Sequence, residues 1–171
     1  MVTPKQASAM TNEELAAEWL KHAEAAAAEE EAKALLKQAE ADAKDLTQRR
    51  AKEAELRANL RMLRSALDDY KKAWDDGRIE HQMQDSGYPP DLDTLVKGVV
   101  DVKSPKASKR LYFLRRIPRD PFADPLLPAV RSWGLRSYDS PPDAPQRGAD
   151  VYDVYSTAVG EGLDGVPYRQ W

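Results

Sequence analysis

"RAKEAELRANLRMLRSALDDYKK", residues 50–72, is the stretch on which the fold turns. Within it and just beyond, Leu56, Leu60, Leu63, Leu67, Tyr70 and Trp74 recur at spacings of 4, 3, 4, 3 and 4. That rhythm places six large side chains along one stripe of an α-helix. Followed upstream in the same register, the stripe meets Glu53, Arg49, Leu46, Asp42, Ala39, Leu35, Ala32 and Ala28, charged or small where a core would take leucine. Residues 11–50 therefore read as a solvated rod or loose coiled-coil arm, of high helix propensity and weak seam. Residues 51–76 read as the helix that packs on a domain. One continuous coiled coil is the alternative.

Proline and glycine set the limits of that helix. After Pro4 there is no proline until Pro89, and the first glycine is Gly77, so nothing interrupts a helix from about Thr11 to Asp76. Thr11, with Glu14 three residues on, makes a capping box, and Gly77 makes a C-terminal stop. At about 1.5 Å per residue the helix is on the order of 100 Å long. Part of it must then stand clear of a small domain or pair with another helix.

Composition excludes several classes. The 171 residues are 42% hydrophobic and 32% charged, with 26 Lys+Arg against 29 Asp+Glu, so there is no basic footprint for nucleic acid. Without cysteine there is neither a disulfide framework nor a thiolate metal site. The charge-free run from Ala25 to Ala28 is far short of the roughly 20 apolar residues of a membrane span, and no signal-peptide pattern is present.

Beyond the helix, "DSGYPPDLDTLV" (85–96) reads as a turn and a short helix started at Pro90 or Asp91, with Leu92, Leu95 and Val96 as its apolar face. "LYFLRRIP" (111–118) is apolar enough to pack, but Pro118, Pro121, Pro125 and Pro128 forbid a central strand there. The strand candidates are "RSWGLRSYD" (131–139) and "VYDVYSTA" (151–158). On the second, Tyr152, Val154 and Ser156 share one face, and Val151, Asp153 and Tyr155 the other. The intervening "SPPDAPQRGAD" (140–150) is too long for a tight hairpin and calls for its own order or a ligand. In "GVPYRQW", Tyr168 and Trp171 are placed to close the core.

A long helix laid across a small antiparallel sheet through a proline-rich connector resembles the pilin fold, an α+β architecture. "GYPPDLDTLV" (87–96), then "LRRIPRDPF" (114–122), then "YDVYSTAVGEGLDGVPY" (152–168) up to the final tryptophan are similar in order and character to the major pseudopilins of type II secretion systems. The resemblance covers about residues 50–171. It implies a structural subunit and not an enzyme, one that polymerises with its own kind and with other pseudopilins. Such a filament is periplasmic, stands on the inner membrane with the secretion-system components there, and helps to export folded proteins. A type IV pilin or minor pseudopilin shares the fold, and a coiled-coil interaction adaptor is the alternative from another class.

Residues 1–50 depart from that family, whose first helix half is strongly apolar and is its attachment to the membrane. The expectation is a substitute for that half, an engineered fusion or expression leader beginning "MVTPKQASAM", which divides the chain into a helical extension (1–50) and a pseudopilin-like domain (51–171). The resemblance also implies calcium near the last strands. Asp153 with Ser156 is the best match to its ligands, with Asp139 and Asp150 nearby and Leu135 as a carbonyl donor. Calcium takes about six to eight oxygens, and Asp143 also lies in this segment. The alternative is ordinary turn aspartates, with Asp153 bonded to a neighbouring amide. Glu161 and Asp164 in "GEGLDG" (160–165) lack EF-hand spacing and read as a turn.

Other chemistry is weak. His22 and His81 have no partner at ligand spacing, and no serine sits in a nucleophile elbow. Arg115, Arg116 and Arg119 are candidates for contact with Asp68 and Asp69 (and Asp75) of a neighbouring subunit, or form a solvated basic connector.

Overall fold

The structure, a computed structural model, describes residues 10–106 and 108–171, so the first nine residues of the expected 1–50 extension lie outside the described residues. The chain divides into two compact units, one ending at Gln48 and the other running from Arg49 to Trp171. Helix α1 (Asn12–Asp75) opens with the reciprocal capping box: Thr11 N–H donates to Glu14 Oε2 at 2.8 Å and Glu14 N–H to Thr11 Oγ1 at 3.3 Å. It closes at Gly77 (φ 65°), where Gly77 N–H donates to Trp74 O and Arg78 N–H to Ala73 O, the paired bonds of a Schellman motif.

In the first unit every described residue up to 48 is exposed, including Trp19 at 78% and Leu35 at 65%. Nothing along that stretch of α1 is buried. No helix among the described residues is long and apolar enough to cross a membrane.

The second unit is α+β, and its core is built on the apolar stripe. Leu56, Leu60, Leu63, Leu67 and Tyr70 are 0–6% exposed, whereas Trp74, at the end of the stripe, is half-buried and stacks on His81 at 3.9 Å between centroids. Helix α2 (Leu92–Lys97) is capped by Asp91, whose carboxylate accepts from Thr94 N–H, and contributes fully buried Leu92 and Leu95. Two small antiparallel sheets follow. Strand β1 (Val99–Val100) pairs with β2 (Arg110–Leu111), and β3 (Trp133–Arg136) pairs with β4 (Asp153–Ser156), in a register that sets Trp133 opposite Ser156 and Leu135 opposite Val154.

The β1–β2 pair was not foreseen, because two-residue strands carry no alternation to read. The β3–β4 pair lies inside the expected segments. Val154 and Ser156 are buried on one face as the alternation requires. Val151 is also buried, because it precedes β4 and its N–H donates to Pro89 O.

Between the sheets, residues 114–128 form a connector of bends and turns with no strand or helix. Leu114 is buried, and Ile117 and Phe122 pack against the core. Trp133 Nε1 donates to Pro118 O at 2.8 Å, fastening β3 to it. The loop from Ser137 to Tyr152 has its own closure: Ser137 N–H donates to Gln146 O, and Tyr152 N–H to Arg136 O. At the end of α1, Arg78 donates to the nearly buried carboxylate of Asp101 at 2.6 Å, which holds the Asp101 pKa below its ordinary 3.8.

Replacing Leu63 by alanine removes a side chain with no exposed surface and is expected to destabilise the chain by about 2–5 kcal/mol. Leu35→Ala, on the exposed stretch of the same helix, should stay within about 0.5 kcal/mol. Urea unfolding of both variants measures the contrast.

Candidate functional site

The sequence-derived ligands are distributed over three places. Asp153, at the start of β4, is half-buried; its Oδ1 accepts from Arg64 Nε of α1 at 2.8 Å and from Val154 N–H at 2.8 Å. Ser156 is fully buried, and its hydroxyl donates to Asp120 Oδ2 at 2.5 Å. In a strand whose side chains alternate, these two residues stand on opposite faces. Leu135 lies in β3 opposite Val154.

Asp139 and Asp150 come together elsewhere, on the wall of a groove that Tyr70, Tyr88 and Tyr138 also line. Asp150 Oδ1 there accepts from Tyr138 N–H at 2.8 Å. Asp164 pairs with Arg57 at 2.7 Å, and the Arg57 guanidinium lies 3.9 Å from the Trp171 ring centroid. Among the described residues no three His, Asp or Glu side chains are gathered to hold a metal. The quoted ligands do not form one cage in this arrangement. At Asp153, Oδ1 is taken by Arg64 and the Val154 amide.

The groove, about 860 Å³, has Tyr70, Tyr88 and Tyr138 in its wall, and Tyr152, outside the lining, packs against the last two. Tyr88 and Tyr138 stack at 5.9 Å, and Tyr152 meets them edge-on at 5.0 and 5.5 Å. Burial pushes the Tyr88 phenol above its ordinary pKa; the neighbouring Tyr152, Asp68, Tyr138 and Asp75 raise it further. Tyr70 is raised by burial first and then by Asp85 and Asp91. Among the described residues four carboxylates, those of Glu80, Asp85, Asp139 and Asp150, line the groove with one cation, Arg110.

The connector arginines divide. Arg115 and Arg116 are exposed. Arg119 turns onto its own loop, donating to the carbonyls of Asp124 (2.9 Å), Pro125 (3.0 Å) and Leu127. As a clamp on residues 124–127 it is not part of an outward basic surface. Asp68 and Asp69 are exposed on α1. No ion pair between described residues joins them to the connector arginines within the chain.

Three polar positions that organise this region were not singled out in the sequence. Asp120 is fully buried: besides Ser156 it accepts from Phe122 N–H at 2.8 Å, while its own N–H donates to Ser132 Oγ at 3.0 Å. The Asp-Pro dipeptide in "RDPF" is a turn signal that marks it. Glu53, which reads as a charge in the wrong place on the stripe, is 3% exposed; Leu163 N–H (2.9 Å) and Tyr168 O–H (3.0 Å) donate to its Oε1. Arg64 joins Asp153, Val154 O and Trp171 O. Neither Glu53 nor Arg64 has a local signal, since their partners arrive from the far end of the chain.

No family model, curated protein or solved structure matches the chain.

Asp120→Ala leaves the Ser156 hydroxyl and Phe122 amide buried without an acceptor and is expected to cost about 2–4 kcal/mol. Asp120→Asn, which keeps one carbonyl oxygen, should cost less. Thermal melts of the two variants rank them, and equal losses would remove the acceptor role from Asp120.

Proposed function

We propose that residues 51–171 are the globular part of a pilin-like structural subunit, of the type II secretion pseudopilin kind. One observation carries the reading: the apolar stripe from Leu56 to Tyr70 is buried beneath a proline-bounded connector and a small antiparallel sheet. The order "GYPPDLDTLV", "LRRIPRDPF", "YDVYSTAVGEGLDGVPY" supplies the more specific resemblance. In this reading the protein works by assembly and not by side-chain catalysis. Subunits polymerise, with each other and with other pseudopilins, into a periplasmic filament rooted in the inner membrane through an apolar helix half and contacting the secretion components there.

A coiled-coil adaptor is the second reading, favoured by the exposed Leu15, Trp19, Leu20, Leu35 and Leu36 on α1. One experiment separates the two. Residues 51–171 are joined to the apolar first half of a major pseudopilin and expressed in a type II secretion strain that lacks its own. Restored secretion and incorporation into filaments are expected under the subunit reading. A hybrid that reaches the inner membrane folded and yet enters no filament would overturn it.

Calcium belongs to the proposal as a ligand of the folded state. At about 100 times its dissociation constant it should raise stability by about 2.7 kcal/mol, a shift in melting midpoint of several degrees for a domain this size. A melt of the whole chain in chelator, in calcium and in magnesium reads it. A shift specific to calcium supports a major-type subunit, and no shift moves the assignment to a minor pseudopilin or pilin.

A further inference from the structure

We propose that the tyrosine-walled groove receives the Arg115–Arg116 pair of a second copy of this chain. The inference deepens the reading of the protein as a self-assembling subunit and rests on it. The groove offers what a guanidinium binds: tyrosines in its wall, Tyr70, Tyr88 and Tyr138, with the carboxylates of Glu80, Asp85, Asp139 and Asp150 among them. A planar cation stacks on aromatic faces while donating to carboxylates, and arginine does so better than lysine. Arg110 is the one cationic residue in the lining, and its guanidinium is held by the carbonyls of Lys97 and Gly98. It leaves the acidic character of the groove in place.

The complementary surface is on the same domain. Arg115 and Arg116 are exposed and make no hydrogen bond or ion pair with a described residue, unlike Arg119, which is committed to the 124–127 loop. They stand between buried Leu114 and Pro118, whose carbonyl is held by Trp133, so their backbone is already ordered and loses little freedom on docking. Neither arginine lines the groove of its own chain. Basic pair and acidic groove therefore meet only between copies. Because two different patches are joined, the contact is heterologous, and its repetition yields an open chain or a ring.

Contacts of this size are weak, so the test traps them covalently. The sequence contains no cysteine, and a single introduced thiol therefore reports one position. Tyr112→Cys places it beside the arginines, and Ala149→Cys on the groove wall; both positions are exposed and both variants keep every charged residue of the contact. The two full chains are mixed in equal amounts with a short bis-maleimide. The expected result is a mixed adduct several-fold above either self-adduct, falling to the random ratio in high salt. Adding Arg115→Glu/Arg116→Glu to the Tyr112→Cys chain should remove the excess, and Asp85→Arg/Asp139→Arg in the Ala149→Cys chain, which turns the lining net positive, should restore it with the charges reversed.

A random ratio of adducts overturns the proposal, as does an excess that charge reversal leaves untouched. An excess lost on reversal but not restored by Asp85→Arg/Asp139→Arg overturns the groove as the acceptor. Arg115→Gln/Arg116→Gln gives the same readout should the glutamates impair folding. Random adducts from chains whose hybrid still restores secretion would dismiss this contact and leave the subunit reading standing. A specific adduct without restoration would do the reverse.

Discussion

Everything in the second unit depends on covering the apolar stripe of α1. Leu56, Leu60, Leu63, Leu67 and Tyr70 lie on one helical face and together represent a large area to remove from water, at about 1.5–3 kcal/mol per side chain. Among the described residues after Gly77, the regular elements are a six-residue helix, strands of two and four residues, and two 3₁₀ turns of three residues. Short elements bring few backbone hydrogen bonds of their own, so the cover is held by individually placed polar ties. Asp120 joins connector to β4, Trp133 Nε1 joins β3 to Pro118, and Glu53 takes the Leu163 amide and the Tyr168 hydroxyl.

Those ties account for what the sequence discloses and what it hides. Periodicity reports which face of an element is buried, so the stripe, the caps at Thr11, Asp91 and Gly77, and the positions of β3 and β4 were legible. It does not report which partner arrives from more than a hundred residues away, as Leu163 and Tyr168 do at Glu53. Glu53 therefore read as an interruption of the core, when it is a buried acceptor within it. The candidate ligands failed to converge for a related reason. Asp153 and Ser156 are near in sequence, but the pleat separates them and each is claimed by a distant group, Arg64 and Asp120. Asp139 and Asp150 share a groove only because the long loop folds back on itself.

The connector shows how proline divides labour among otherwise similar residues. Three arginines fall within five positions, yet Arg119 turns inward onto carbonyls of its own loop, while Arg115 and Arg116, at a bend, remain outside. Composition alone treats them as one basic run. Backbone direction makes one of them structural and leaves the pair facing solvent.

The shortness of β3 and β4 has a further effect. Each strand has a single partner, and the 3₁₀ turns Ala129–Arg131 and Tyr168–Gln170 lie against β3 and β4 respectively. Each open edge is only four residues long, so edge-to-edge addition, the usual hazard of a small open sheet, finds few bonds to make. When many copies are crowded together, encounters between these domains are decided by side chains, which carry charge and shape. Main-chain pairing, which would join any two edges indiscriminately, has little hold on them.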